Sequence, residues 1–320
     1  MNIAESVLQG DRLALARLLT GLENDQPQGR DALDALFPHT GKAHIIGVTG
    51  PSGSGKSSLV NRLALHLAET GGEQPAPRVA VLAVDPSSPF SGGALLGDRV
   101  RMRDLMERPE IFIRSMASRG ALGGLARAAG ELVLALEAAG FDIILVETVG
   151  AGQSEVDIAR LAHTTLVVEA PGLGDDIQAA KAGILEIADI LVVNKADKNG
   201  AESAAHTLAA MLEIGAELKP ASALLENTWK APVCLTSALN REGIAALSET
   251  IAAHRAWLRE SGVWEQRAQA RLEDLFNRLL RERLLAEWQR SQPQANLTDA
   301  LQALHKRESS PYNLIERLFS

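Results

Sequence analysis

The chain has one cysteine, one tyrosine and five methionines among 320 residues, and aromatic side chains make up only 3% of it. A single thiol, Cys234, excludes an internal disulfide and any cysteine-rich metal site. It sits in the apolar run Pro232-Val233-Cys234-Leu235, which reads as core. Scarce aromatics leave aliphatic residues to fill the interior, and 46% hydrophobic content is enough for a sizeable one. There is no basic excess: the net charge of −8 argues against bulk binding to nucleic acid or to an anionic membrane surface. No uninterrupted apolar stretch approaches membrane-spanning length. Glu5 and Asp11 interrupt the amino terminus where a secretory signal would need an apolar core, so the expected setting is the cytoplasm.

What is present begins at Gly50-Pro51-Ser52-Gly53-Ser54-Gly55-Lys56-Ser57. The frame G-x-x-x-x-G-K-[ST] needs glycines so that successive backbone N–H groups turn inward around a β-phosphate. Lys56 supplies a point charge for the β- and γ-phosphates, and the Ser57 hydroxyl is placed to ligate Mg²⁺. His44–Thr49 before the loop reads as a buried strand, and Ser57-Ser58-Leu59 onward reads as a helix start whose dipole adds to the anion site. A nucleotide-binding protein is expected, with the loop through Ser58 lining the phosphates.

The base is indicated further along. Asp189–Val193 is a strand-like run ending in Asn194-Lys195-Ala196-Asp197. A carboxylate at Asp197 can accept from N1–H and the exocyclic amine of guanine, a donor pair that adenine lacks. Hydrogen bonds to a charged group contribute about 1.5–3 kcal/mol each, so adenine should be disfavoured by a few powers of ten. Lys195 would lay its stem along the base, and Asn194 would tie this loop to the phosphate loop. Thr236-Ser237-Ala238-Leu239 follows the next strand, and its backbone N–H groups are candidates to meet guanine O6. The ligand expected is GTP or GDP.

The metal and the γ-phosphate draw on other segments. Phe141–Glu147 is an apolar strand ending in a carboxylate, the usual place to hold Mg²⁺ directly or through water. Gly150, three residues on, is positioned to offer its N–H to the γ-phosphate. Asp85, ahead of Pro86-Ser87-Ser88, and Asp98 are both candidates to face the metal, and Gln153 is the candidate to position the attacking water.

For organisation, residues 1–40 carry helical spacing (Ile3, Val7, Leu13, Ala16, Leu19) and read as an N-terminal extension. Residues 41–258 alternate strand-like and helical runs. The strand candidates are His44–Thr49, Arg78–Val84, Glu110–Arg114, Asp142–Glu147, Thr164–Ala170, Asp189–Asn194 and Pro232–Thr236. That pattern predicts an α/β fold with a doubly wound, mostly parallel sheet. From about Gly262, within residues 259–320, a long amphipathic helix carries Trp264, Leu272, Phe276, Leu279 and Trp288, with a short helix expected near Leu297–His305. The stripe must be buried, either on its own core or against a second subunit.

These segments together resemble the methylmalonyl-CoA mutase-associated GTPases, the MeaB-like chaperones formerly described as arginine/ornithine transport kinases. The resemblance runs over Gly50–Ser57, Asp85–Ser88, Ser91–Met102, Val146–Glu155 and Asn194–Asp197, from about residue 41 to 250. Its most specific part is Glu147–Glu155, where most GTPases carry Asp-x-x-Gly. The resemblance implies a P-loop GTPase core that hydrolyses GTP and uses Mg²⁺ without binding cobalamin itself. It implies a partner, an adenosylcobalamin-dependent acyl-CoA mutase whose cofactor loading the GTPase gates, and it leaves open the cobalamin adenosyltransferase as a further one. It also implies that the C-terminal helices form a homodimer. Finally, it matches Ala170–Lys181 to a mobile loop coupling nucleotide state to the mutase, with Asp175 and Lys181 as its charged members. An ordinary strand-to-helix loop is the alternative there.

Rival classes are a metal-delivery GTPase and a kinase or ATPase linked to amino-acid transport. The first would need a Cys- or His-rich cluster, and the seven histidines are scattered beside one cysteine. Against the second stands Asp197, which disfavours ATP.

Overall fold

In the computed structural model, the described residues are 2–70, 76–86, 105, 108–118, 124–148, 154–172, 185–217, 228–291 and 294–319. The chain divides into two units, Met1–Arg271 and Leu272–Ser320.

The first unit is built on seven parallel strands: β1 (His44–Thr49), β2 (Val79–Pro86), β3 (Ile111–Ser118), β4 (Ile143–Thr148), β5 (Thr164–Glu169), β6 (Ile190–Val193) and β7 (Val233–Leu235). Every anticipated strand is present. β3 runs further than its apolar run suggested, because it stays in register with β2 as far as Pro86 opposite Ser118. The order is β3-β2-β4-β1-β5-β6-β7. The sheet therefore grows one way from β1 through β4 and β2, and the other way through β5. The carboxyl end of β1 is the topological switch point, where open α/β sheets bind ligands.

Both faces of the sheet are covered, so β1, β4, β5 and β6 are buried along their whole length and read as continuous apolar runs. Neighbouring residues feed opposite faces. Ile45, Leu82 and Ile144 pack with α5 (Gly124–Ala138) and α6 (Ser154–Leu161), whereas Ile46, Val81 and Leu145 pack with α4 (Lys56–Thr70) and α8 (Ile244–Glu260). A smaller cluster seats α7 (Ala201–Glu217) on β6.

The N-terminal segment forms α1 (Ile3–Leu8), α2 (Arg12–Glu23) and α3 (Pro27–Leu36), and these share the α5 core. Asp11 caps α2 by accepting from the backbone of Leu13 and Ala14. The buried stripe of α2 is Ala14, Leu15, Leu18, Leu19 and Leu22, so Leu13, expected on it, instead faces outward. At the far end of α2, Glu23 pairs with Arg114 of β3 at 2.6 Å.

Helix α9 (Val263–Ser291) starts after Gly262, as its periodicity indicated. For Trp264 the choice between its own core and a second subunit falls to the core. The ring is buried, 3.9 Å from the His163 ring and nearly parallel to it, so it belongs to the interior of the first unit. In the second unit, α9 continues from Leu272 and is followed by α10 (Gln294–His305) and α11 (Pro311–Phe319). Trp288 stacks on Phe319 with centroids 5.0 Å apart. No helix among the described residues is long and apolar enough to cross a membrane.

Candidate functional site

The loop between β1 and α4 arches over the switch point, and two of its glycines are forced by their surroundings. Gly50 has φ +137°, and a Cβ there would lie 2.1 Å from the Val168 carbonyl oxygen on β5. Gly55 has φ +92°, and its Cβ would lie 2.4 Å from Asn194 Nδ2. Lys56 is buried at the first position of α4, and its Nζ donates to the carbonyls of Gly50 and Pro51, both at 2.9 Å. The lysine thus spans the arch from inside. Ser54 is fully buried, whereas Ser52 and Ser58 are exposed. The amino end of α4 points its unsatisfied N–H groups at this arch, the arrangement that binds phosphate.

Asn194 fastens the arch to the loop after β6. Its Nδ2 donates to the carbonyls of Ser54 at 3.0 Å and Gly55 at 3.3 Å. Its Oδ1 accepts from the Ala238 backbone N–H at 3.2 Å. One amide side chain therefore joins three loops. Lys195 adopts φ +61°, a conformation costly for a side-chain residue and typical of sites over-determined by their surroundings. Its Nζ donates to the Gly53 carbonyl. Asp197 is exposed, and Ser237 Oγ donates to its Oδ1. That hydrogen bond, aided by Lys198 and Lys195, holds the Asp197 carboxyl below the usual carboxylate range, so it remains an acceptor. Ala238 also accepts from Arg62 Nε of α4, and Leu239 is 79% exposed beside it.

On the other side of the arch, Ser57 Oγ donates to Glu147 Oε1 at 2.6 Å. Glu147 lies buried near the end of β4. A hydroxyl and a carboxylate in contact form a hard-oxygen donor set suited to a divalent cation such as Mg²⁺. The backbone of Asp85 lies at the carboxyl end of β2, paired with Ala117 of β3. Its side chain, and Asp98, Gly150, Gln153, Asp175 and Lys181, lie outside the described residues.

Two further groupings escaped the sequence reading. Thr148 Oγ1 donates to Thr49 Oγ1 at 3.0 Å between the ends of β4 and β1. At the opposite, amino edge of the sheet, His44 Nε2 and His254 Nδ1 both contact the Thr164 hydroxyl, at 2.7 and 2.9 Å. Arg267 of α9 holds Asp189 and the His163 carbonyl there. Neither grouping leaves a local signal, since the partners come from segments 78 to 120 positions apart.

A model of the family described as methylmalonyl-CoA mutase-associated GTPase MeaB matches residues 15–293. A putative GTPase of Pyrococcus abyssi is 40% identical over 99% of this chain and 95% of its own length. The methylmalonic aciduria type A homolog of Caenorhabditis elegans is 30% identical over 94% of this chain and 77% of its own. A crystal structure described as an LAO/AO transport system kinase superposes with a TM-score of 0.72 at 28% identity, covering 99% of this chain and 95% of that one.

Proposed function

The chain belongs to the MeaB family of methylmalonyl-CoA mutase-associated GTPases, and from that we propose that it is a GTP-driven chaperone gating cofactor loading into an adenosylcobalamin-dependent acyl-CoA mutase. That it binds and hydrolyses GTP follows from the family and from the relatives named as GTPases. The methylmalonyl type of mutase is the client that the family description and the worm relative's name support.

The observation that carries the reading is Asn194, whose amide joins the phosphate arch to the loop holding Asp197. Polyphosphate and guanine would then be read by one connected frame. Lys56 would turn from the arch carbonyls toward the β- and γ-phosphates, and Asp197 would accept from guanine N1–H and N2–H. Ser57 and Glu147 would hold Mg²⁺, with Asp85 or Asp98 contributing the remaining carboxylate. When bound, the ion neutralises charge on the β- and γ-phosphate oxygens during transfer. Gly150 would sense the γ-phosphate, Gln153 would orient water, and Asp175 and Lys181 would pair differently in the GTP and GDP states at the partner surface.

A homodimer is part of the same proposal. Among the described residues, most of the large apolar side chains that stand exposed belong to the second unit, including Phe276, Leu284, Tyr312, Ile315 and Phe319. Such a concentration is the mark of a contact surface.

The test is GTP turnover with and without methylmalonyl-CoA mutase, beside nucleotide titrations of Asp175→Ala and Lys181→Ala. We expect the mutase to raise turnover, and both variants to blunt that response while sparing GTP affinity. Full stimulation in both variants would place the coupling elsewhere. No stimulation by any acyl-CoA mutase would favour the transport-kinase reading, which the 28% identical LAO/AO transport system kinase keeps in view.

A further inference from the structure

Thr49 is the last residue of β1 and Thr148 the last residue of β4. Both are buried, and Thr148 Oγ1 donates to Thr49 Oγ1 at 3.0 Å. They stand one position beyond the rung that sets Val48 opposite Glu147. At these strand ends the next residue toward the carboxyl side of β1 is Gly50, the start of the phosphate arch.

Packing does not account for two threonines here. Valine has the same shape and suits a buried strand at least as well. A buried hydroxyl is costly unless it is hydrogen-bonded, and one hydroxyl bond does little more than offset that cost. The location gives the pair its meaning. Glu147 and Thr148 are consecutive in β4, so their side chains leave on opposite faces. Glu147 accepts from the Ser57 hydroxyl at 2.6 Å, just after the arch, and Thr148 donates to the Thr49 hydroxyl, just before it. Two successive residues of β4 thus grip the two ends of the loop spanning Gly50 to Lys56.

We propose that Thr49 and Thr148 are a pair of positioning residues for GTP hydrolysis, registering the exit of β4 against the phosphate arch. Among the described residues the hydroxyl pair makes no hydrogen bond to Lys56, Asp197, Ser57 or Glu147, on which ground-state binding draws. Hydrolysis additionally requires Glu147 and the residues after it to stand in a set place relative to the arch, and small misplacements are costly there. The pair therefore bears on the hydrolysis step and leaves affinity alone. This holds whether or not a mutase is the client.

The experiment compares Thr49→Val, Thr148→Val, the double variant and Thr148→Ser in the full chain. Single-turnover GTP hydrolysis, GDP and GTP titrations and thermal midpoints are measured on each. Each valine variant should slow hydrolysis roughly tenfold with nucleotide affinities within about twofold of the parent. The double variant should be no slower than the singles, because the two hydroxyls act as one unit. Thr148→Ser, which keeps the hydroxyl and drops the methyl, should restore the rate. Unchanged hydrolysis in both valine variants would overturn the proposal. So would a parallel loss of affinity and rate, or a serine variant as slow as the valine one, since these are marks of packing. Should a valine variant fail to fold, Thr49→Ala and Thr148→Ala, which remove the hydroxyl without adding bulk, decide the matter: slowed hydrolysis at parental affinity supports the pair and a parental rate overturns it.

Discussion

Arg267 grips both carboxylate oxygens of Asp189, Nη1 to Oδ2 at 2.8 Å and Nη2 to Oδ1 at 2.9 Å. The same Nη1 donates to the His163 carbonyl at 2.6 Å, and Asp189 Oδ2 also accepts the Thr165 backbone N–H at 2.8 Å. The first turns of α9 are thus bolted to the amino ends of β5 and β6, with Trp264 stacked on His163 one turn earlier. Bidentate arginine–carboxylate pairs are the geometrically specific ones. Removing one partner of such a pair leaves a partly buried charge uncompensated.

Arg267→Met should therefore destabilise the chain by about 3 kcal/mol. Chemical denaturation monitored by tryptophan fluorescence measures it. A midpoint equal to the parent's would mean that the pair is energetically idle.

Three buried histidines make the same edge sensitive to acid. Burial pushes His163 down to about 2 and His254 to about 4, and it lowers His44 well below its ordinary value. Arg255, Arg259, Arg267 and Arg271 oppose the charged forms, and Asp189 favours that of His254. With folded values below the unfolded value of about 6.5, the unfolded chain takes up protons first. Their stabilising effect is complete above about pH 6.5 and drains away as the pH falls, to about 4 for His254 and on toward 2 for His163, each histidine contributing up to about 1.4 kcal/mol per pH unit. Urea midpoints at pH 7 and pH 5 should differ accordingly, and His254→Gln should flatten that slope. An equal slope in the variant counts against His254.

At the nucleotide end, Lys56→Ala should abolish hydrolysis and weaken binding, because it removes both the phosphate charge and the brace to Gly50 and Pro51. Asp197→Asn should shift preference from GTP toward xanthosine triphosphate, whose 2-oxo group needs a donor. Ser237→Ala should weaken GTP by roughly tenfold without that switch, since it only frees the Asp197 carboxylate to turn. Competition titrations with GTP, ATP and xanthosine triphosphate separate these outcomes. ATP turnover by the unaltered chain equal to GTP turnover would end the guanine assignment.

Assembly is best tested by charge substitution in the full chain. Cutting near Gly262 would strip Trp264, Arg267 and Arg271 from the first unit's interior, so loss of assembly could not be told from loss of folding. Phe276→Glu and Ile315→Glu alter exposed positions and should yield monomers that keep the parent's circular-dichroism spectrum, with a thermal midpoint lowered by the loss of association. Light scattering that still reports dimers in both variants would move the interface elsewhere.

Much of the site was legible because its chemistry is written in consecutive residues. Gly50–Ser57 announces a phosphate arch, since the spacing of glycine, lysine and serine is itself the loop's geometry. Asn194–Asp197 and Thr236–Leu239 likewise sit in single turns after apolar strands. Trp264 is undecided in the sequence because helical spacing tells only that a face must be covered, never by what. Leu13 was placed on the wrong side of α2 for the same reason, as the buried stripe begins one residue later at Ala14.

By itself the sequence determined the seven strands, the helical runs between them and the glycine-rich turn Gly50–Lys56, because each rests on interactions among near neighbours in the chain. Only the tertiary structure decided the strand order that sets β1 between β4 and β5. It alone joined Thr49 to Thr148, 99 positions apart, and Asp189 to Arg267, 78 positions apart. Such pairs depend on which way each crossover folds, and no short stretch of residues encodes that choice. They form when burial of the two sheet faces brings the strand ends together, so their chemistry exists only once the core has closed.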